Sequence, residues 1–148
     1  MVWGSVSGSG VGRLAEIPTT MDAKLYVNIL DNNLIQSATD LGIQDNFIFQ
    51  SDNDPKHTSR LAKTWLMVHL IECLVWPPQS PDLNIIENLW DYLDSHIPKS
   101  SRKSYNLFKT AIFETWRNIP QELINNLIKS IPNRLQEVIA ANGENTSY

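Results

Sequence analysis

Two acidic side chains carry the chemistry this chain could do. Asp52 closes the apolar run Asn46-Phe47-Ile48-Phe49-Gln50-Ser51 and opens a polar knot, Asn53-Asp54-Pro55-Lys56-His57. Glu87 follows a proline-broken loop, Trp76-Pro77-Pro78-Gln79-Ser80-Pro81-Asp82-Leu83-Asn84-Ile85-Ile86. Thirty-four residues lie between the two acids. Carboxylates that converge repel one another unless a cation sits between them. A set made of Asp and Glu, with no His or Cys cluster, favours Mg²⁺ or Mn²⁺ over Zn²⁺. Mg²⁺ accepts one or two carboxylates and keeps its other ligands for water and phosphate. Two such ions about 3.5–4 Å apart activate an attacking oxygen and stabilise a leaving one.

Each feature has a plainer explanation. Asn84-x-x-Glu87 fits a capping box at a helix start. Ser80-Pro81-Asp82 fits the same start, with Pro favoured in the first turn. Asp52-Asn53-Asp54-Pro55 fits a turn, where Asx and Pro residues concentrate. Asp54 belongs to that turn reading and is expected to face away from Asp52. His57 reads as a cap or a hydrogen-bonded surface histidine rather than a direct ligand. Trp65, Trp76, Trp90 and Trp116 read as core.

Positioning the acids needs a sheet edge. Phe47-Ile48-Phe49 predicts a compact strand of the type buried on both faces. A helix capped by Thr58 or Ser59 follows, then a second buried strand over Ile71–Trp76. Strand, helix and strand within about thirty residues form a βαβ unit with parallel strands. Sites in open α/β sheets form at the carboxyl ends of parallel strands. Asp52 lies just past one such end, and Glu87 lies on the helix after its neighbour. The crossover is therefore expected to bring both to one rim.

Before this unit, Met1–Ser7 and Val11–Ile17 alternate around Gly8-Ser9-Gly10, a β-hairpin signal. A helix enters at Thr20 or Asp22 and ends near Leu41-Gly42. After it, helices are expected over Asn84–His96, Tyr105–Asn118, Gln121–Ser130 and Asn133 to Asn142-Gly143. Ser100-Ser101-Arg102-Lys103-Ser104 reads as a linker.

A chain of 148 residues suits one domain, and 42% hydrophobic content suits a globular core. No apolar run approaches the ~20 residues of a membrane helix. Cys73 is the sole cysteine, so an internal disulfide is excluded. The net charge of −4 argues mildly against general nucleic-acid binding, but it is unevenly spread. Met1–Pro98 holds five Lys/Arg against twelve Asp/Glu, and Lys99–Tyr148 holds seven against four. An acidic front suits cation binding and a basic rear suits phosphates, although an unevenly charged surface is the simpler reading of these counts alone.

At these residues the sequence resembles the Tc1/mariner transposases of the DDE superfamily. The matching pieces are Val2-Trp3-Gly4 with Gly10-Val11-Gly12, Phe49 to Ser59, Trp76 to Asn84 with Ile86-Glu87-Asn88-Leu89-Trp90, and Pro132-Asn133-Arg134-Leu135-Gln136. Ile85 replaces the Pro usual in the second long motif. The resemblance implies an α/β fold, partial RNase H-like (retroviral integrase-like), that lacks the first central strand and has a helical C-terminal tail. Residues 1–98 would form its sheet-and-helix part and 99–148 its tail. Asp52 is similar to the second catalytic acid of such enzymes and Glu87 to the third, together holding two Mg²⁺ or Mn²⁺ ions. The first acid is expected on a strand upstream of Val-Trp-Gly. None of Glu16, Asp22 or Asp31 has its context.

The implied activity is metal-dependent cleavage of DNA and transfer of the freed strand, in the nucleus, on transposon ends and target DNA. A second transposase chain is a further expected partner, and a membrane is not. The chain by itself is expected to be inactive. Asn53, His57 and Asn84 would support the acids or touch DNA. Lys99, Arg102, Lys103 and Arg134 would meet backbone phosphates. The alternatives are a non-catalytic fragment that binds DNA or transposase, and a decayed transposon copy.

Overall fold

The computed structural model describes residues 1–78 and 80–141. It divides into two compact units, one spanning Met1–Ser80 and one beginning at Pro81. The units part inside the proline-broken loop.

The first unit opens with the expected hairpin. Strands β1 (Val2–Ser7) and β2 (Gly10–Glu16) pair antiparallel, with an irregularity between Gly4 and Val6. Gly10 takes a positive φ of 139°, which the turn requires and side chains disfavour. Helix α1 (Ala23–Asp40) is capped by Asp22, whose carboxylate accepts from the Leu25 N–H at 2.7 Å. Gly42, at φ 68°, turns the chain out of the helix. Helix α2 (Arg60–Val68) is capped by Ser59, whose hydroxyl accepts from the Ala62 N–H.

The core of this unit joins α1 to α2 through Tyr26, Leu30, Leu34, Ala62, Trp65 and Leu66. Trp3 of the hairpin packs against it, as do Phe47, Phe49 and Ile71. The helical period of α1 supplies its apolar stripe, and fully burying each large side chain is worth about 1.5–3 kcal/mol.

The two expected strands around α2 run parallel but meet in one bridge, Phe49 with Cys73. The Phe49 N–H donates to Glu72, and the Phe49 carbonyl accepts from the Leu74 N–H. The ladder stops there because the first segment enters the Asp52 knot and the second runs into Pro77-Pro78, which lack N–H donors. The expectation of strands buried on both faces is also corrected. Phe47 and Phe49 turn to the helices, while Ile48 is half exposed and Val75 is 93% exposed. Helices α1 and α2 cover one face only, and side chains alternate across a strand.

The second unit begins with a 3₁₀ turn, Pro81–Leu83, and then helix α3 (Ile85–His96). A second 3₁₀ turn, Lys99–Lys103, replaces the expected linker. It is ordered because Ser101 donates to the Pro98 carbonyl through both its N–H and its hydroxyl. Helix α4 (Tyr105–Arg117) and helix α5 (Gln121–Ala140) complete the unit, with α3 packed against both. Trp116 and Ile124 are buried, and Trp90 stacks on Trp116 with centroids 5.2 Å apart.

The two helices expected over 121–130 and 133–142 are one helix, with Pro132 inside it. A proline within a helix costs about 3 kcal/mol or more. Pro132 lies on the exposed side, and buried anchors on each side, Ile124 and Arg134, hold the helix together across it. The expected end at Asn142-Gly143 lies outside the described residues. Among those residues no helix is long and apolar enough to cross a membrane.

Candidate metal and catalytic site

The Asp52 knot is a turn and a carboxylate mount at once. Just past the Phe49 bridge the backbone folds back, and the Asp54 N–H donates to Asp52 Oδ1 at 3.1 Å. His57 Nδ1 stands 2.5 Å from the same oxygen. The Asp54 carboxylate engages Lys56 instead, accepting from its backbone N–H at 2.8 Å and pairing with its ammonium at 3.0 Å. Burial pushes the Asp54 carboxyl up, but the Lys56 contacts outweigh it and hold the group below its ordinary range. Asp54 thus turns its carboxylate away, as expected, while its backbone supports Asp52.

Two further contacts fix this loop. Asn53 Nδ2 donates to the Trp76 carbonyl at 3.0 Å, tying the knot to the end of the second bridge segment. The His57 ring lies against Tyr26 of α1, with centroids 4.2 Å apart. Burial raises the Tyr26 phenol well above its usual range, against a hydrogen bond with Ser51 that lowers it. Asp52 itself has a half-exposed side chain. No spacing rule ties residue 26 to residue 57, and Tyr26 sits in the apolar register of α1, so its place behind the knot has no sequence signal.

Glu87 is set by the start of α3. Leu83 is buried and anchors the 3₁₀ turn, whose Pro81 carbonyl accepts from the Asn84 N–H at 2.8 Å. Asn84 is the N-cap residue, but its side chain makes no cap bond. Its amide points instead toward Glu87 Oε1 at 3.5 Å. The capping-box explanation of this pair is therefore not realised. Glu87 is exposed in the first turn of the helix.

Two of the acids nearer the N-terminus have structural tasks. Asp22 caps α1, and Asp31 accepts from the Trp65 indole N–H at 3.1 Å. Among the described residues no group of three His, Cys, Asp or Glu side chains is arranged to hold a metal. Asp52, Asn53 and His57 are brought together in the first unit, and Asn84 and Glu87 in the second.

The basic residues divide. Lys99, Arg102 and Lys103 are exposed on one 3₁₀ turn. Arg102 also pairs with Asp94 at 2.7 Å and lies over the Phe108 ring. Arg134 is a correction: it is 3% exposed, so it does not reach a phosphate backbone. Its guanidinium donates to Ser130 Oγ at 2.8 Å and to the Asp82 carbonyl at 2.7 Å. A buried guanidinium must be matched with acceptors, and these supply them.

Comparison with known proteins gives the family. The family model of the DDE superfamily endonucleases matches residues 2–108, and the chain belongs to that family. It is 38% identical over its whole length to the Tcb2 transposase of Caenorhabditis briggsae and to the Tc1 transposase of Caenorhabditis elegans. The Tc3 transposase of C. elegans is 32% identical. The chain spans about half the length of these curated relatives, 54%, 54% and 45%. Among solved structures, a Mos1 transposase catalytic domain with raltegravir and Mn matches 99% of this chain and 76% of that one, with a TM-score of 0.79 at 23% identity. A pre-cleavage Mos1 transpososome matches 99% of this chain and 45% of that one, with a TM-score of 0.85 at 23% identity. The chain therefore has part of the RNase H-like fold of the Mos1 transposase catalytic domain.

Proposed function

We propose that this chain is a portion of a Tc1/mariner-type transposase catalytic domain in which Asp52 and Glu87 serve as metal-holding acids. One observation carries the reading: a single family match runs through both acids, and each acid stands at the end of a loop built to fix it. Solved neighbours with the same fold include the Mos1 catalytic domain with raltegravir and Mn or Mg, and a Mos1 paired-end complex with the left transposon end.

The two acids, Asp52 in the first unit and Glu87 in the first turn of α3, are of the ligand type that Mg²⁺ and Mn²⁺ favour. Such ions supply an activated water for phosphodiester hydrolysis and a counter-charge for the leaving oxygen. The protein's own part is to hold the acids. Asn53 ties the Asp52 loop in place, and Asn84 sits beside Glu87. Lys99, Arg102 and Lys103 present positive charge for phosphates of the transposon end or target DNA. The setting is nuclear, and a second transposase chain is the expected protein partner.

Enzymes of this pattern use a third acid, so residues 1–148 alone are expected not to nick DNA. Supercoiled plasmid incubated with Mg²⁺ or Mn²⁺ tests this. Nicking by the chain that disappears in Asp52→Ala would prove the inactivity wrong. A longer protein that carries this chain and an upstream acid is expected to cut at transposon ends and to lose cutting in Asp52→Asn and in Glu87→Gln. Unchanged cutting in both variants would remove the assignment. A non-catalytic role through binding another transposase chain is favoured by one observation, the exposed Ile48, Leu74 and Val75; co-sedimentation with full-length transposase tests it.

A further inference from the structure

We propose that His57 is a positioning residue for Asp52, fixing the carboxylate so that it meets a divalent cation through Oδ2 alone. This rests on the reading of Asp52 as a metal ligand. The hydrogen bonds given to Asp52 among the described residues both fall on Oδ1, from the Asp54 N–H at 3.1 Å and from His57 Nδ1 at 2.5 Å. An ionised carboxylate offers about two lone-pair sites on each oxygen, so two donors fill Oδ1 and leave Oδ2 for a metal. Bidentate coordination would require one of those donors to let go.

The histidine is held from both sides. A carboxylate oxygen only accepts, so Nδ1 carries the hydrogen. Nε2 is buried on the far edge of the ring, with no hydrogen-bond partner among the described residues. The side chain is only 16% exposed, and one face lies on Tyr26. Turning the ring over would put carbon against Asp52 and lose the Nδ1 hydrogen bond. In this arrangement Nδ1 is engaged by Asp52, so the ring acts on the carboxylate. Groups that orient a metal ligand in this way typically change metal affinity by about 10–100-fold when removed. Tyr26, buried in the helical core, transmits the rigidity of α1 to the ring.

The test is Mn²⁺ binding to the 148-residue chain, followed by electron paramagnetic resonance. His57→Phe keeps a ring against Tyr26 and removes the donor; His57→Asn keeps a donor at the Nδ1 position. His57→Phe is expected to weaken Mn²⁺ binding about tenfold, with His57→Asn recovering most of the loss and both variants melting like the parent. Asp52→Asn is expected to abolish binding. Nitrogen-15 correlation spectra of the metal-free chain at mildly alkaline pH are expected to find the hydrogen on Nδ1. Unchanged binding in His57→Phe, with binding lost in Asp52→Asn, overturns the positioning role and leaves the metal reading standing. A hydrogen on Nε2 also overturns it. No Mn²⁺ binding by the parent, or binding indifferent to Asp52→Asn, overturns both.

Discussion

Arg134 Nη1 donates to the backbone carbonyl of Asp82 at 2.7 Å, across 52 positions of the chain. The contact ties helix α5 to the turn that leads into the helix of Glu87, so a buried cation holds a loop rather than a phosphate. Arg134→Ala should destabilise the second unit by about 1–3 kcal/mol, because it strands a buried acceptor. Arg134→Lys should recover little, since an ammonium cannot reproduce the fork that reaches both Ser130 and Asp82. Urea unfolding of the variants measures both effects.

Gly12 is the point where the hairpin meets α1. A Cβ there would stand 2.3 Å from Ser5 Oγ and 2.8 Å from Ser37 Cβ. Ser37 is buried and fixed, donating to the Asn33 carbonyl and accepting from the Arg13 N–H. Gly12→Ala should therefore cost about 1–3 kcal/mol. Adding Ser5→Gly should return part of that loss, since it removes the nearest clash. Thermal unfolding of the single and double variants decides whether the two positions are coupled.

Leu70 occupies the left-handed region at φ 55° and is 92% exposed. It closes α2 in a Schellman arrangement, with the Leu70 N–H bonded to Met67 and the Ile71 N–H to Leu66. A leucine there carries about 1–2 kcal/mol of backbone strain and buries almost nothing in return. Leu70→Gly should raise stability by up to about 1 kcal/mol, visible as a higher urea midpoint.

The Arg13–Asp40 pair gives the first unit a signature in acid. The Arg13 guanidinium, bonded to Asp40 at 2.9 Å, holds that carboxyl below its ordinary value of 3.8, with the Gln36 amide adding to the effect. A depressed folded value stabilises the fold above the unfolded value, and that contribution disappears as the pH drops through the lower folded one. Asp40→Asn should therefore flatten the fall in melting temperature below pH 4 or so and leave neutral pH slightly less stable. The pair is exposed, so raised salt should weaken the difference.

Much of the scaffold was legible in the chain itself. Residue type narrowed each cap to two candidates, Thr20 or Asp22 and Thr58 or Ser59, of which Asp22 and Ser59 cap, and Gly8-Ser9-Gly10 marks a hairpin that forms. The alternation of Phe47 and Phe49 toward the helices follows from strand geometry, but their three-residue run gave no hint that one face stays uncovered. Helix α5 runs past Pro132 because side-chain burial outweighs a local break, and burial is not visible in a residue's own type. Arg134 misled for the same reason: a cation reads as surface until its acceptors are known. Of the candidate site, the turn at Asp52 and the helix start at Glu87 were foreseeable. A supporting role for His57 was expected from the resemblance, but not its clasp on Asp52 Oδ1, which depends on a backbone reversal through Asp54 that spacing does not encode.

The aromatic stacks give the two units separate voices. Trp65 donates to Asp31 and lies on His69, with centroids 4.1 Å apart, while Trp90 and Trp116 face one another in the other unit. Trp65→Phe should remove one of the three indole signals of the first unit, beside Trp3 and Trp76, and Trp90→Phe should alter the stacked pair of the second. The melting of each half can then be followed optically within the same molecule, without any attached dye.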